Sequence, residues 1–305
     1  MSGQLKARLD GGYTPVLNDW GVDSEYGKLH DVLIGPAGNY QWRETSSLSR
    51  ATIRKGYKFD KATFLKQYDE IVSAYESAGV KVHTLPEQEG LPYQLFARDS
   101  SFMTPWGAVI TAMAHWWRRG ENYQCIRFYS DNNIPIYDMV TSGCFEGGDF
   151  NIIEPGAVLI GCGGERSQEH TAREIAGWME KEGWEVKITQ FDEFYVHIDL
   201  MVVMLADKLA AVCLDTTEPD VVDWLKGKGI EIVPVSFKET MELGCNAMAL
   251  GDDKAIVPKH AKGLIEKLRA HGFTVYDPDI DMVWRGGGGL HCMAQPLKRD
   301  PVGMH

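Results

Sequence analysis

No stretch of the 305 residues approaches the ~20 consecutive apolar residues of a membrane-spanning helix, and no basic-then-apolar leader opens the chain. CxxC pairs are absent as well: the six cysteines stand apart at 125, 144, 162, 213, 245 and 292. That scatter excludes a dense disulfide framework, and reduced thiols in a cytoplasm are the expectation. Positive charge is in short supply. Against 43 Asp and Glu there are 31 Lys and Arg, a formal net charge of −12. Nucleic acids and anionic membranes select basic surfaces, so neither is expected as a partner. A small cationic substrate is compatible with this balance. No low-complexity linker and no compositional break divides the chain, which is read as one domain over residues 1–305. Its 44% of hydrophobic residues is enough for a substantial core.

What the chain does contain is a repeat. Segments 99–111, 148–161, 197–212 and 244–258 share one grammar: a polar start, an alternating apolar strand, a turn, then a second apolar strand. A fifth copy is shared between the two ends, 27–35 and 288–296. Asp99, Asp149, Asp199, Asn246 and Cys292 mark the starts, at steps of 50, 50, 47 and 46 residues. Helical periodicity fills the gaps at 64–78, 171–182, 220–228 and 261–271. Each of these ends near a glycine that suits a helix C-cap (Gly79, Gly183, Gly229, Gly272) and leads into a short strand. A hairpin–helix–strand unit cannot bury its own faces, so five of them are expected to close radially as a propeller-like α/β ring. A doubly wound α/β sheet is the alternative, since its helix–strand alternation is locally similar. The regular hairpins favour the ring.

In such a ring the polar starts converge at one end of the axis. They supply Asp99, Glu146 and Asp149 from Glu-Gly-Gly-Asp, His197 and Asp199 from His-Ile-Asp, and Cys292 after the run Gly286 to Gly289. Singly, each has an ordinary explanation as a turn residue, a structural histidine or a buried thiol. Together they form a coherent chemical set. Closely spaced carboxylates favour a cation, and a planar guanidinium matches them in bidentate fashion. Its central carbon is a poor electrophile, for which a thiolate is the suitable nucleophile. His197 would act as general acid and then as general base. His-x-Asp with distant carboxylates lacks a standard zinc spacing, so neither a metal nor another cofactor is expected.

The motifs Phe-Ala-Arg-Asp99, Glu146-Gly-Gly-Asp149, His197-Ile-Asp199, Asn246-Ala-Met-Ala-Leu-Gly and Gly-Gly-Gly-Leu-His-Cys292 resemble, in order and over essentially the whole chain, the guanidino-modifying superfamily. Its members include arginine deiminases, dimethylarginine dimethylaminohydrolases, agmatine deiminases and amidinotransferases. The resemblance implies a five-fold pseudosymmetric α/β propeller of ββαβ repeats and a covalent thiouronium intermediate on Cys292. It further implies His197 as acid/base and Asp99 and Asp149 as guanidinium ligands, with Glu146 and Asp199 supporting the substrate and His197.

Gly163-Gly-Glu-Arg166-Ser is similar to an arginine-deiminase segment whose arginine contacts the substrate α-carboxylate. Arg118 and Arg119 stand where a second carboxylate ligand is expected, the alternative being a surface helix with snorkelling arginines. Arg285 is a weaker candidate. These arginines imply a guanidino substrate that carries a carboxylate. The compact length is nearer dimethylargininases, Leu-His-Cys292 is nearer amidinotransferases or agmatine deiminases, and Pro296-Leu-Lys-Arg299 is nearer arginine deiminases. A hydrolase giving a citrulline-type product is the expected activity. An amidinotransferase is the alternative, a non-catalytic binding protein a third, and a homo-oligomer is left open.

Overall fold

In the computed structural model, which describes residues 19–303 except 164 and 193, fifteen strands make five separate three-stranded sheets. Four are continuous in sequence. They are Ser101–Thr104, Gly107–Ile110 and Ile136–Met139; Phe150–Glu154, Ala157–Cys162 and Glu185–Gln190; Val202–Ala206, Leu209–Val212 and Glu231–Pro234; and Met248–Gly251, Lys254–Ile256 and Thr274–Tyr276. In each, the first two strands form an antiparallel hairpin, and the third returns parallel to the second after a helix. The fifth sheet joins the chain ends. Leu29–Ile34 pairs antiparallel with Ala294–Arg299, Ile34 opposite Ala294, and parallel with Lys81–Thr84. Buried Arg299 completes this seam by donating to the carbonyls of Gly27 (2.6 Å) and Ala249 (2.9 Å). The ring of ββαβ blades read from the sequence is the observed architecture, and the doubly wound sheet is not.

The five crossover helices (Lys61–Ser77, Glu121–Asp131, Glu169–Lys181, Pro219–Gly227, Lys262–Ala270) end in one way. Two residues past the last helical residue stands Gly79, Asn133, Gly183, Gly229 or Gly272, each at positive φ between 55° and 88°. The next amide reaches back into the helix: Val80 to Tyr75 O, Ile134 to Tyr129 O, Trp184 to Met179 O, Ile230 to Leu225 O and Phe273 to Leu268 O, at 2.9–3.1 Å. This is a Schellman motif, and the two side chains at its ends are buried together in every blade. It sets the angle at which each helix turns into its outer strand. A Cβ at Gly229 would meet nothing within 4 Å. Gly229→Ala is therefore expected to cost about 1 kcal/mol of stability from backbone strain alone, and a denaturant midpoint unchanged from the parent would contradict this. Packing between blades fixes the ring. Phe102 and Phe150, from adjacent inner strands, stack with centroids 4.0 Å apart. No helix among the described residues is long and apolar enough to cross a membrane.

Candidate active site

The five blade starts meet at one end of the ring and are tied to one another in sequence. Gly147 N–H donates to Asp99 O (3.0 Å), and Ile198 N–H to Asp149 Oδ1 (2.8 Å). Asn246 Nδ2 donates to Asp199 O (3.0 Å), while Asn246 Oδ1 accepts from the amides of His291 (2.9 Å) and Cys292 (3.3 Å). Arg98 N–H donates to Cys292 O (3.1 Å) and closes the circle. Each polar start thus holds the next, and Asn246 caps the helical turn Leu290–Met293 that carries Cys292. Two glycines are required by close approach. A Cβ at Gly148 would fall 2.6 Å from His197 Nδ1, and one at Gly289 would fall 2.4 Å from Asn246 Oδ1.

A narrow cavity of about 20 Å³ opens at this end, lined among others by Phe96, Asp99, Arg166, His197, Gly287, Gly288 and Cys292. His197 Nε2 is 2.9 Å from Glu146 Oε2, and its Nδ1 is 3.7 Å from Asp99 Oδ1. Burial opposes its charge, but these carboxylates prevail and hold the imidazole protonated well above its ordinary range. Sγ of Cys292 is 3.5 Å from Asp199 Oδ2. Burial, joined by that carboxylate, pushes the thiol up to about 12. Burial also raises Asp99, and lifts Asp149 to about 7. Glu146 goes the other way. Despite burial, Arg166 (Nη1 to Oε2, 2.8 Å) and His197 keep it ionised far below the carboxylate range. The resting arrangement is an imidazolium, a neutral thiol, and carboxylates of divided charge. Among the described residues, Asp99 Oδ1 and His197 Nδ1 are buried without a hydrogen-bond partner and face each other at 3.7 Å.

The arginines separate. Arg118 is fully buried and spends its donors inward, on Asp99 Oδ2 (2.8 Å), on both oxygens of Glu121 (2.9 and 2.8 Å) and on Tyr93 O. It touches the cavity wall but serves as the counter-ion of Asp99. Arg119 is exposed, donates to Met113 O (3.4 Å), and is not among the residues lining the cavity. Arg166 does line it, while Gly164 of the same segment lies outside the described residues. Arg285 sits in a separate groove, stacked between Tyr57 and Trp284 at 4.3 and 4.4 Å. Cys292, His197, Asp99, Glu146, Asp149 and Asp199 are brought together, although Glu146, Asp149 and Asp199 lie behind the lining rather than in it. Glu25 and Glu121 carry no signal in the sequence that singles them out, and Arg98 is given no role there beyond its place in Phe-Ala-Arg-Asp99, yet all three are buried partners of this cluster.

Among the described residues, two triplets could converge on a metal ion: His197, Asp199 and Cys292, or Asp99, Glu146 and His197, with their ligand atoms within 4.8 Å of one another. Both need a lone pair on His197, and the surrounding carboxylates favour the protonated imidazole that has none. The donor chemistry fits proton transfer better than ligation.

A family model described as "N,N dimethylarginine dimethylhydrolase, eukaryotic" matches residues 41–299. An uncharacterised protein of Bacillus subtilis (strain 168) is 27% identical over 235 residues, 76% of this chain and 79% of its own length. A dimethylarginine dimethylaminohydrolase from Pseudomonas aeruginosa, solved as a cysteine-to-serine variant complexed with citrulline, superposes with a TM-score of 0.73. It is 19% identical and covers 88% of this chain and 99% of its own. An amidinotransferase of saxitoxin biosynthesis from Microseira wollei superposes at 0.78, with 15% identity and coverage of 94% and 99%. With the family match spanning nearly all the blades, the chain belongs to the N,N-dimethylarginine dimethylhydrolase family of the guanidino-modifying superfamily.

Proposed function

We propose that the protein is a cysteine-dependent hydrolase of the guanidino group of arginine or an arginine derivative. The observation that carries this reading is the pair of unpartnered polar atoms in the cavity, Asp99 Oδ1 and His197 Nδ1, beside a buried thiol. The first is an open acceptor suited to a guanidinium N–H. The second is an imidazolium nitrogen that faces Asp99 Oδ1 at 3.7 Å near the Cys292 sulfur, while Nε2 is held by Glu146.

In this reading the cation pairs with Asp99 and favours the thiolate by its positive charge beside sulfur, the thiol proton leaving to solvent because His197 is already protonated. Sγ of Cys292 attacks the guanidino carbon, and His197 protonates the departing nitrogen from Nδ1. The neutral imidazole then takes a proton from water, which attacks the thiouronium carbon. Cleavage of the C–S bond releases a citrulline-type product and restores the thiol. Asp149 and Asp199 support the amide and thiol on either side. Arg166, at the cavity wall, is placed to meet a carboxylate at the far end of the substrate.

The same geometry serves an amidinotransferase, which intercepts the thiouronium with an amine instead of water. Arginine, methylated arginines, agmatine and shorter guanidino acids, each offered with and without an added amine, separate the two. Citrulline or ureido product formed in water alone is expected. Turnover that requires the amine would overturn the hydrolase reading, and turnover of none of these compounds would overturn the guanidino reading.

A further inference from the structure

Behind the nucleophile runs a buried polar chain that the reaction above does not use. Arg98 grips Glu25 with two nitrogens, at 2.9 and 3.3 Å, and its Nη2 is in direct contact with Nε2 of His291. On the other side of the imidazole, Nδ1 is 2.8 Å from Asp199 Oδ2, the oxygen that lies 3.5 Å from Cys292 Sγ. All five residues are buried, so the contacts are direct. The Arg98–His291 contact decides where the proton sits. A guanidinium only donates, so Nε2 facing it must accept and carries no hydrogen. Nδ1 then carries the proton and donates it to Asp199. The competing arrangement, an imidazolium whose Nε2–H turns to Glu25 Oε2, would span 3.6 Å and set two donors against each other.

We propose that His291 is a positioning residue for Cys292: held by Arg98 with a hydrogen on Nδ1, it donates to Asp199 and keeps that carboxylate ionised against the thiol. The Asp199 charge opposes formation of the thiolate in the empty enzyme, because like charges at this separation disfavour one another. Glu25, Arg98 and His291 therefore form a brace that keeps the nucleophile quiet until a cation enters the cavity. The inference rests on Cys292 as nucleophile but not on the identity of the substrate, and its test uses the enzyme without substrate.

The nitrogen-15 resonances of the His291 ring in the unmodified protein are expected to show a hydrogen on Nδ1 and none on Nε2. Two protonated nitrogens would overturn the tautomer. Alkylation of Cys292 by neutral iodoacetamide, followed against pH, reads the consequence. In the parent the rate should still be climbing at pH 10. In His291→Phe, Asp199 loses its donor and protonates readily, and the midpoint should fall into the measurable range. The rate at neutral pH should then rise by about tenfold for each pH unit that the midpoint falls. His291→Asn, whose amide nitrogen replaces Nδ1–H, should restore the parent profile. Should the Phe profile match the parent, or the Asn profile match the Phe variant at an equal unfolding midpoint, the brace is refuted.

Discussion

Cys292→Ser is expected to lower turnover of the guanidino substrate by on the order of 10⁵-fold, since losing the nucleophile of an interdependent set removes nearly all of the set's contribution. The fold should hardly notice. Cys292 is almost fully buried, its sulfur makes long contacts to Asp199 and lies near His197, and its backbone bonds to Asn246 and Arg98 are indifferent to the side chain. A thermal midpoint within about 2 °C of the parent would keep the comparison clean, corresponding to roughly 1 kcal/mol for a chain of 305 residues. Acid-quenched parent enzyme should carry, on the peptide containing Cys292, the mass of the substrate less its leaving amine. Asp99→Asn should act differently. It weakens the guanidinium contact and also strips Arg118 of a buried counter-ion, so activity and stability fall together. A serine variant with more than about 1% of parental turnover would remove Cys292 from the centre of the reaction.

Much of this site was legible because the repeat is legible. Steps of 46 to 50 residues place Asp99, Asp149, Asp199, Asn246 and Cys292 at equivalent blade starts, and the ring of amide contacts follows from that equivalence. The four glycines before Cys292 present no side chains to hold off a flat ligand. Gly287 and Gly288 do line the cavity, whereas Gly289 is small because Asn246 must reach the Cys292 turn. The crossover helix Glu121–Asp131 escaped notice for two reasons. Its buried face carries Glu121 and Gln124, so the hydrophobic period is broken, and its C-terminal turn uses Asn133 where the other four use glycine. Charged residues turned inward are the general blind spot. Arg118 looks like a surface arginine beside exposed Trp116, yet it is the buried partner of Asp99. Glu25 lies 73 residues from Arg98, and no local period could link them.

A cationic alkylating reagent should react with Cys292 about 10- to 10³-fold faster than its neutral counterpart at pH 7, since an opposite charge within about 4–6 Å lowers a pKa by roughly one to three. 2-Chloroacetamidine and 2-chloroacetamide form a suitable pair, alike in size and leaving group. The amidinium of the first matches the acceptor left open on Asp99. The sign of the pH dependence follows from the two groups involved. With the thiol near 12, the thiolate fraction grows with pH, so the neutral reagent should accelerate about tenfold per pH unit through the neutral range. His197 is held protonated above its ordinary range, so the acid that serves the leaving group persists through neutral pH and is lost only on the alkaline side. Steady-state turnover should therefore rise and then fall, while alkylation by the neutral reagent keeps rising. Asp99→Asn should erase most of the cationic reagent's advantage without slowing the neutral one. If both reagents react equally in the parent, the cavity does not recognise a delocalised cation, and the carboxylates around His197 serve the imidazolium alone.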